Sequence, residues 1–415
     1  MVCGLISKSS SLWMCVCKNS VTTMISHKSS HFCFVADVLV VTHSNMPQKS
    51  NANLHKANKA KNDEFYTQYP DIQKEINAYL EYNPDVFRDK TILLPCDDPE
   101  WSNFTKFFAQ NFEPFWIKKL ISTSFANESK IYKDDYKPTD FETQSPKFDK
   151  KKTNIKWKIY ILDHDTNQNW KIDVDDLERE YLEWDWDFRS DEVKKLRDEA
   201  DIIITNPPFS LFREFVAWIM EANKKFVIIW NQNAITYKEF FPLIKENKVW
   251  LWVTMDSSNR WFQVPDSFTE FHKIENGKKY AFVAWPVRFT NLDHGRRHKP
   301  LPLMTMADNL KFNKNKEIQE HWYQKYDNYD AIEVPNVNAI PSDYEWIMWV
   351  PISFLRKYCP EQFEIIWQAS WNTRASAPKN ILKELGYTVH EQDRWWCTVV
   401  NGKRTYWRIL IRKTQ

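Results

Sequence analysis

The chemically most specific group of residues ends an apolar segment, DIIITNPPFSLF. Asn206, Pro207, Pro208 and Phe209 directly follow its β-branched residues and precede a stretch with helical spacing. In parallel α/β sheets the ligand crevice lies at the carboxyl ends of the strands, so these four residues are expected at a binding site. A bare Asn-Pro pair is common in turns. Four such residues between a strand and a helix are far more specific, and we interpret them as a functional loop.

The loop has the groups needed for chemistry on a planar amine. The Asn206 amide oxygen and the Pro207 carbonyl can accept both hydrogens of an exocyclic amine such as that of adenine, which turns the nitrogen lone pair toward a methyl donor. Prolines stiffen the loop, so the acceptors are in place before the reaction. Phe209 provides a face on which a flipped base can stack. The residues therefore predict methyl transfer to an amino nitrogen.

The segments around the loop alternate between strand and helix patterns. Apolar, strand-like runs occupy 90–96, 117–125, 200–205 and 224–230, and helical spacing follows a loop at 63–80 and recurs at 104–112, 191–200 and 209–222. This alternation predicts an α/β fold with a mainly parallel sheet and helices on both faces. A charged insertion at 127–182 is expected to form a hairpin that decorates the fold.

Three regions are predicted along the chain. The sequence of residues 1–45 does not resemble the rest of the chain in composition. We expect a disordered extension, which is explained by a translation start assigned upstream of the true start at Met46. Residues 46–255 form the catalytic domain. Residues 256–415, with short aromatic segments, Pro-rich turns and the strand-like TYWRILIRK, form a second region.

Composition excludes several classes of protein. The formal net charge is +2, so any contact with nucleic acid depends on local clusters of charge. The seven cysteines have no paired spacing typical of zinc sites or disulfides, which favours a reducing, cytoplasmic setting and no metal site. The apolar run at 32–41 is too short to span a bilayer, so no membrane contact is expected.

Glycine is rare and tryptophan abundant. The chain has 5 Gly and 21 Trp, whereas about 29 Gly would be expected at the usual frequency of about 7%. Trp170, Trp184 and Trp186 stand in probable turns where positive φ, which Gly tolerates, is expected. We hypothesise that a reassigned stop codon that means Gly has been translated as Trp. UGG codons at these positions would exclude this, and a truly Trp-rich protein is the alternative.

The segment DTNQNWKIDVDD has the spacing of a calcium loop. Asp165, Asn167, Asn169, Asp173 and Asp176 occupy the ligand positions, with Asp in place of the final Glu. No convincing helix precedes the segment and it has few carboxylates. A solvated turn within the inserted hairpin is therefore the favoured interpretation.

Six segments occur in an order shared with one enzyme family. They are DEFYTQY, LLPCDDPEWSNF, LEWDWDFRS, TNPPFSLF, NQNAITYKE and RILIRK. In these segments, which span roughly residues 62–413, the chain resembles adenine-specific DNA methyltransferases of the EcoRI modification type. The resemblance implies a Rossmann-like S-adenosylmethionine-dependent sheet with helices on both faces and a carboxyl-terminal DNA-recognition region. The implied activity is site-specific N6 methylation of a flipped adenine.

The resemblance also implies which residues bind S-adenosyl-L-methionine. Phe65, Tyr66 and Thr67 match the segment that holds its methionine end, and Asp97 and Asp98 match the cofactor loop after the first strand. Each also has a structural interpretation, as a turn that enters a helix or as an N-cap. The PCDDP loop lacks the Gly-rich turn usual in Rossmann-like sheets, and no clear acidic residue ends the second strand.

Asp187, in the segment DWDF, matches the acidic residue near the adenine of the cofactor. An ordinary helix cap is the alternative. Genuine tryptophans at 184 and 186 would crowd this loop and weaken cofactor binding.

The implied partner is double-stranded DNA, and a restriction-modification role adds a cognate restriction endonuclease as an optional partner. Two cationic runs are candidates for phosphate contact, at least one of which is expected to neutralise phosphates. They comprise Lys147, Lys150, Lys151, Lys152, Lys156 and Lys158, and Arg296, Arg297 and Lys299. Such runs are usually just solvated faces.

Two other functions remain open at this point. Protein glutamine amides and RNA bases also present planar nitrogens to such a loop, so a protein or RNA N-methyltransferase is an alternative enzyme. A non-catalytic DNA-binding relic is an alternative of another class, and the intact loop from Asn206 to Phe209 speaks against it.

Overall fold

The computed structural model describes residues 5–9, 12–17, 20–25, 67–97, 102–123, 158–181, 188–207, 211–252, 261–264, 271–282, 286–369, 377–393 and 397–414. The chain divides into two compact units, residues 1–52 and 53–415. In the first unit, the described residues form an antiparallel sheet with the order β1 (Leu5–Ser9), β2 (Leu12–Cys17) and β3 (Ser20–Ile25).

The second unit opens with alternating helices and strands. They are α1 (Tyr69–Tyr82), β4 (Thr91–Leu94), α2 (Asn103–Gln110), β5 (Lys119–Thr123), β6 (Lys158–Leu162), β7 (Glu178–Tyr181), α3 (Asp191–Glu199), β8 (Ile202–Thr205), α4 (Phe212–Glu221), β9 (Lys225–Asn231), α5 (Phe241–Lys245) and β10 (Trp250–Leu251). Each strand and helix expected between residues 63 and 230 is present, with ends shifted by a few residues.

Short strands dominate the remainder of the unit. The elements are β11 (Trp261–Val264), β12 (Lys273–Glu275), β13 (Lys278–Phe282), β14 (Pro286–Thr290), α6 (Met306–Phe312), α7 (Lys316–His321), β15 (Ile332–Glu333), β16 (Met348–Pro351), β17 (Phe363–Ala369), α8 (Lys379–Glu384), β18 (Val399–Val400), β19 (Lys403–Arg404) and β20 (Arg408–Lys413). No helix in the described part of the chain has both the length and the apolar character needed to cross a bilayer.

The largest sheet is mixed. Its eight strands have the order β10-β14-β9-β8-β4-β5-β6-β7. The central strands β9, β8, β4 and β5 are parallel, and the outer strands on both sides are antiparallel. The β6–β7 hairpin lies in the predicted insertion, where it extends the sheet. Because β14 pairs with β9, the sheet also continues beyond residue 255.

Alternation along the central strands places apolar side chains on both faces of this sheet. Ile92 and Leu94 of β4 face a buried cluster that includes residues of α1 and α2. Leu93 faces the opposite cluster, which includes residues of α3, α4 and α5. Helices therefore cover both faces, which explains why the central strands are mainly apolar and have no solvent-facing polar side.

The carboxyl-terminal strands pack on one of these clusters. β15, β16, β20 and β17 form a four-stranded sheet. Val350 and Ile409 of this sheet belong to the same buried cluster as Leu93 of the large sheet. At this interface the Gln368 side chain donates a hydrogen bond to the Ile235 carbonyl at 3.0 Å. The large sheet and the carboxyl-terminal sheet thus share a continuous core.

Three tryptophans among the described residues have positive φ. The angles are 53° at Trp116, 66° at Trp170 and 60° at Trp322. Trp170 is 97% exposed, so no packing compensates for its backbone conformation. Trp322 ends α7, a position at which Gly commonly closes a helix. Positive φ was expected at Trp170, whereas Trp184 and Trp186 lie outside the described residues.

Candidate active site

Two neighbouring loops leave the large sheet at the same edge. β4 and β8 are adjacent and parallel, with Leu93 paired to Ile203. From β4 the chain crosses to β5 on one side, and from β8 it crosses to β9 on the other. Strand order therefore reverses between β4 and β8, where open α/β sheets bind their ligands. Asp97 follows β4 and Asn206 follows β8, so both candidate loops border this point.

Asn206 and Pro207 directly follow the last residue of β8, Thr205. Thr205 is fully buried, Pro207 is buried and Asn206 is half-buried. The Asn206 amide oxygen is itself shielded from solvent. A strand buried on both faces thus holds two acceptors at its tip, and Pro207 restricts the backbone there. Pro208 and Phe209 lie outside the described residues.

The loop after β4 is held by side-chain hydrogen bonds. The Ser102 hydroxyl donates to the Asp97 carboxylate at 2.9 Å and accepts from the Phe104 amide as the N-cap of α2. The Asp97 carbonyl accepts from the Ser122 hydroxyl at 3.0 Å, and the Pro95 carbonyl accepts from Thr123 at 3.0 Å. Polar side chains of β5 and α2 therefore shape this loop without glycine. Asp98 lies outside the described residues.

Thr67 lies beside the same loop. Its carbonyl accepts a hydrogen bond of 2.7 Å from the Asn103 side chain, one residue after Ser102. The structure thus brings together Thr67 and Asp97, two positions that the sequence places 30 residues apart. The Thr67 hydroxyl and the Gln68 amide nitrogen are buried without hydrogen-bond partners among the described residues. Phe65, Tyr66 and Asp187 fall outside the described residues.

A small cleft with a cavity volume of about 10 Å³ opens beside Thr67. Its walls include residues from the start of α1, from β9, from β11 and from β14. They are Thr67, Gln68, Asp71, Ile229, Trp261, Phe262, Pro286 and Arg288. Burial raises the pKa of the Asp71 carboxyl, although Arg288 opposes this effect.

A buried ion pair lies next to this cleft. It was not predicted from the sequence. The Arg288 guanidinium of β14 contacts the Glu75 carboxylate of α1, and the two residues are only 3% and 1% exposed. Burial raises the pKa of Glu75 to about 7, against the attraction of Arg288. The available signal was Glu75 itself, a charged residue on the helical stripe of Ile72, Ile76 and Tyr79.

The cationic runs fit DNA contact less well than expected. Lys158 is 1% exposed, and Arg297 is 7% exposed, with its guanidinium 3.8 Å from the Trp250 ring centre. Both are therefore structural, and the expectation that they reach phosphates is wrong for these two residues. Arg296 and Lys299 remain exposed. The other candidates, Lys147, Lys150, Lys151, Lys152 and Lys156, lie outside the described residues.

The calcium-like segment is a turn between β6 and β7. The Asp176 carboxylate accepts hydrogen bonds from the Thr166 amide at 2.9 Å and the Asn167 amide at 3.1 Å. The Asp165 carboxylate accepts one from the Trp170 amide at 2.8 Å. These oxygens thus organise the turn. Over the ranges that the structure describes, no cluster of three or more His, Cys, Asp or Glu could hold a metal ion.

Comparison with known proteins gives consistent matches over almost the whole second unit. Residues 53–414 match the family model described as adenine-specific methyltransferase EcoRI. Type II methyltransferase M.EcoRI of Escherichia coli is 39% identical over 367 residues, covering 88% of this chain and 97% of that protein. M.MgeORF184P of Mycoplasma genitalium is 32% identical, covering 88% and 99%. M.MpnI of Mycoplasma pneumoniae is 31% identical, covering 87% and 98%. No solved structure matches significantly.

Proposed function

The chain belongs to the EcoRI family of adenine-specific methyltransferases, and we propose that it methylates the N6 amino group of a flipped adenine in double-stranded DNA. The observation that carries this proposal is the position of Asn206 and Pro207. They stand at the tip of β8, where strand order reverses, beside the Asp97 loop. A rigid pair of acceptors therefore borders the place where such a sheet binds ligands.

We infer that the large sheet is the Rossmann-like sheet of a methyltransferase. Its four central strands are parallel and its order reverses between β4 and β8. The buried clusters place α2 and α4 on opposite faces. This placement agrees with right-handed crossovers that run outward in opposite directions from a shared centre.

We propose that the methyl donor is S-adenosyl-L-methionine. Its proposed contacts are Phe65, Tyr66, Thr67, Asp97, Asp98 and Asp187. The site fits a polar ligand, because Thr67 and the adjacent Gln68 each bury a polar atom without a partner in the described part of the chain. Leaving such an atom unsatisfied costs about 1–3 kcal/mol, which a ligand could offset. When bound, this cofactor supplies an electrophilic methyl group on a sulfonium.

Asn206 and Pro207 prepare the adenine nitrogen for transfer. The Asn206 side-chain oxygen and the Pro207 carbonyl accept its two hydrogens, which draws the lone pair out of conjugation with the ring. Because both acceptors belong to a stiff segment after a buried strand, they need little reorganisation during the reaction. Phe209 stacks on the flipped base, which has left the helix and its pairing partner.

We propose that residues 46–255, completed by β14, carry catalysis and that the remainder of 256–415 recognises the DNA site. The shared core between β16, β20 and the large sheet supports a fixed geometry between the two regions. The Type II names of the relatives suggest a restriction-modification role, with a restriction endonuclease of the same specificity as an optional partner.

Labelled methyl transfer tests the proposal. The enzyme is incubated with methyl-labelled S-adenosyl-L-methionine and double-stranded DNA, with RNA and protein as parallel acceptors. We expect label in adenine of DNA. Asn206→Ala should lower kcat by at least about 100-fold, as loss of one preorganised electrostatic contact does in other enzymes. Cofactor affinity should stay within about twofold, because Asn206 acts on the acceptor.

Asn83→Ala is the matched control, since Asn83 is exposed, lies outside the large sheet and follows the end of α1 opposite to Thr67. It should retain normal turnover. Transfer to RNA or protein alone would select the alternative enzyme. Cofactor and DNA binding without transfer to any acceptor would select the non-catalytic relic.

A further inference from the structure

The three-stranded sheet next to the cleft exposes an unusual face. Its strand order is β11-β13-β12. Trp261 pairs with Phe282, and Tyr280 pairs with Lys273. Directly paired residues share a side of a sheet, and residues two apart along a strand share it as well. These four side chains therefore lie on one side, which we call the aromatic face.

The opposite side of this sheet faces inward over part of its area. Phe262 belongs to the core beneath the large sheet, while Val264 and Ala281 form a small buried cluster of their own. By contrast, Trp261 and Tyr280 are half-buried and Phe282 is 38% exposed. The aromatic face is thus the solvent side of an anchored sheet, where aromatic rings have no role in the core.

Cations accompany these rings. The Lys273 ammonium lies 4.8 Å from the Trp261 ring centre and 5.2 Å from that of Tyr280. It also pairs with Glu275 at 2.7 Å. Lys278, opposite Glu275 in the register, is exposed. An aromatic ring can stack on the base of an unstacked nucleotide, and a nearby ammonium group can bind its phosphate.

The aromatic face adjoins the proposed site. Trp261 lines the cleft together with Thr67 and Arg288. A nucleotide stacked on this face would therefore lie near the place where the target adenine must enter. Flipping a base leaves its former partner unpaired and removes stacking from one face of each neighbouring base. Aromatic side chains can replace this lost stacking.

We propose that the aromatic face stacks on unpaired nucleotides of the DNA beside the flipped adenine, with Lys273 and Lys278 near their phosphates. The inference rests on the proposed function, because it requires DNA with a flipped base. By this inference the three-stranded sheet contributes to DNA affinity, whereas the sequence suggested only the two cationic runs as DNA contacts.

The test uses the full chain and a duplex that contains the methylated sequence. Tyr280→Leu combined with Phe282→Leu removes both rings but keeps apolar bulk. Its DNA dissociation constant, measured by fluorescence anisotropy, should rise about 10-fold or more, as loss of base stacking on aromatic side chains does elsewhere. Cofactor affinity and the circular dichroism spectrum should be unchanged. Ile274→Ala is the control, because Ile274 is 60% exposed on the opposite side of the same sheet.

A second measurement follows the salt dependence. Lys278→Ala should reduce the slope of log affinity against log salt by about 1, because one phosphate contact is lost. Wild-type affinity and slope in these variants, with DNA methylation by the parent enzyme intact, would overturn the inference alone. An equal loss in Ile274→Ala would also overturn it, since the effect would then be unspecific. Failure of the parent enzyme to methylate DNA would overturn the proposed function and this inference together.

Discussion

Two regions that border the cleft use the same residue types in opposite ways. Beneath it, between α1 and β14, Arg288, Tyr79 and Trp252 are buried. At its rim, on the aromatic face, Lys273 and Phe282 reach solvent. Below the cleft the cation is paired with a buried carboxylate, whereas at the rim the cation is paired with the exposed Glu275 and the rings are partly exposed.

Residue type alone therefore does not identify a DNA-binding group. A buried cation must have an internal partner, because an unpaired one would be too costly to desolvate. An exposed cation gains little free energy from a surface carboxylate and can exchange that partner for a DNA phosphate. Substitutions in the buried region should therefore change stability, and substitutions on the aromatic face should change DNA affinity.

The largest stability effect is expected at the buried ion pair. Arg288→Met leaves the Glu75 carboxylate buried without its partner, which should lower the free energy of unfolding by about 3–5 kcal/mol. Denaturant unfolding measures this change. The double variant Arg288→Met with Glu75→Leu should regain most of the loss, because no charge remains buried. A loss in the double variant as large as in the single one would show that the pair is not what holds α1 to β14.

A smaller effect is expected at His294, which packs against the rings of Tyr79 and Trp252. Burial lowers the pKa of His294 to about 4 from its usual 6.5, against the attraction of Asp293. The folded state therefore binds fewer protons than the unfolded state between these values. The contribution of His294 to the free energy of unfolding should therefore fall by roughly 3 kcal/mol as pH decreases from 6.5 to about 4.

His294→Phe keeps the ring packing and should remove this contribution. Unfolding curves of both proteins between pH 7 and pH 4 give the difference, in which the opposite contribution of Glu75 cancels. Parallel curves for the two proteins would contradict a neutral buried imidazole.

The smallest effect on the free energy of unfolding is expected at tryptophans in turns. These turns are a third environment for aromatic rings. Trp116, Trp170 and Trp322 have positive φ, which costs a non-glycine residue roughly 1–2 kcal/mol. Replacement of each by Gly should raise the unfolding free energy by about 1 kcal/mol. Trp230→Gly is the contrasting control, because Trp230 is buried and stacks on Phe212 at 4.4 Å. It should destabilise by more than about 3 kcal/mol.

Destabilisation by all three turn substitutions would count against glycine as the natural residue there. Stabilisation would agree with a stop codon reassigned to glycine, and the codons at these positions give an independent check.

Much of the central sheet could be predicted because its strands are buried on both faces. β4, β8 and β9 are uninterrupted apolar runs, and their flanking helices repeat apolar residues at helical spacing. The antiparallel edges were harder to predict. β10 has two residues and β14 begins after residue 285, so neither their pairing nor their sheet membership is visible in local periodicity.

The loop at the tip of β8 could be predicted from local sequence, whereas contacts between residues far apart in the chain could not. Asn206 and Pro207 carry a recognisable pattern, and Thr67 and Asp97 came from the family resemblance. The Arg288–Glu75 pair joins residues far apart in the chain, and no short pattern links them. The burial of Lys158 and Arg297 was also invisible, since a cationic run does not reveal which of its members turn inward.

In the proposed mechanism, Asn206 and Pro207 present an adenine amine for methylation. Analysis of nucleosides released from DNA after incubation with S-adenosyl-L-methionine tests it most directly. We predict N6-methyldeoxyadenosine with the parent enzyme and with Asn83→Ala, and almost none with Asn206→Ala at unchanged cofactor affinity. Methylated cytosine as the sole product, or equal N6-methyldeoxyadenosine from Asn206→Ala, would contradict the account.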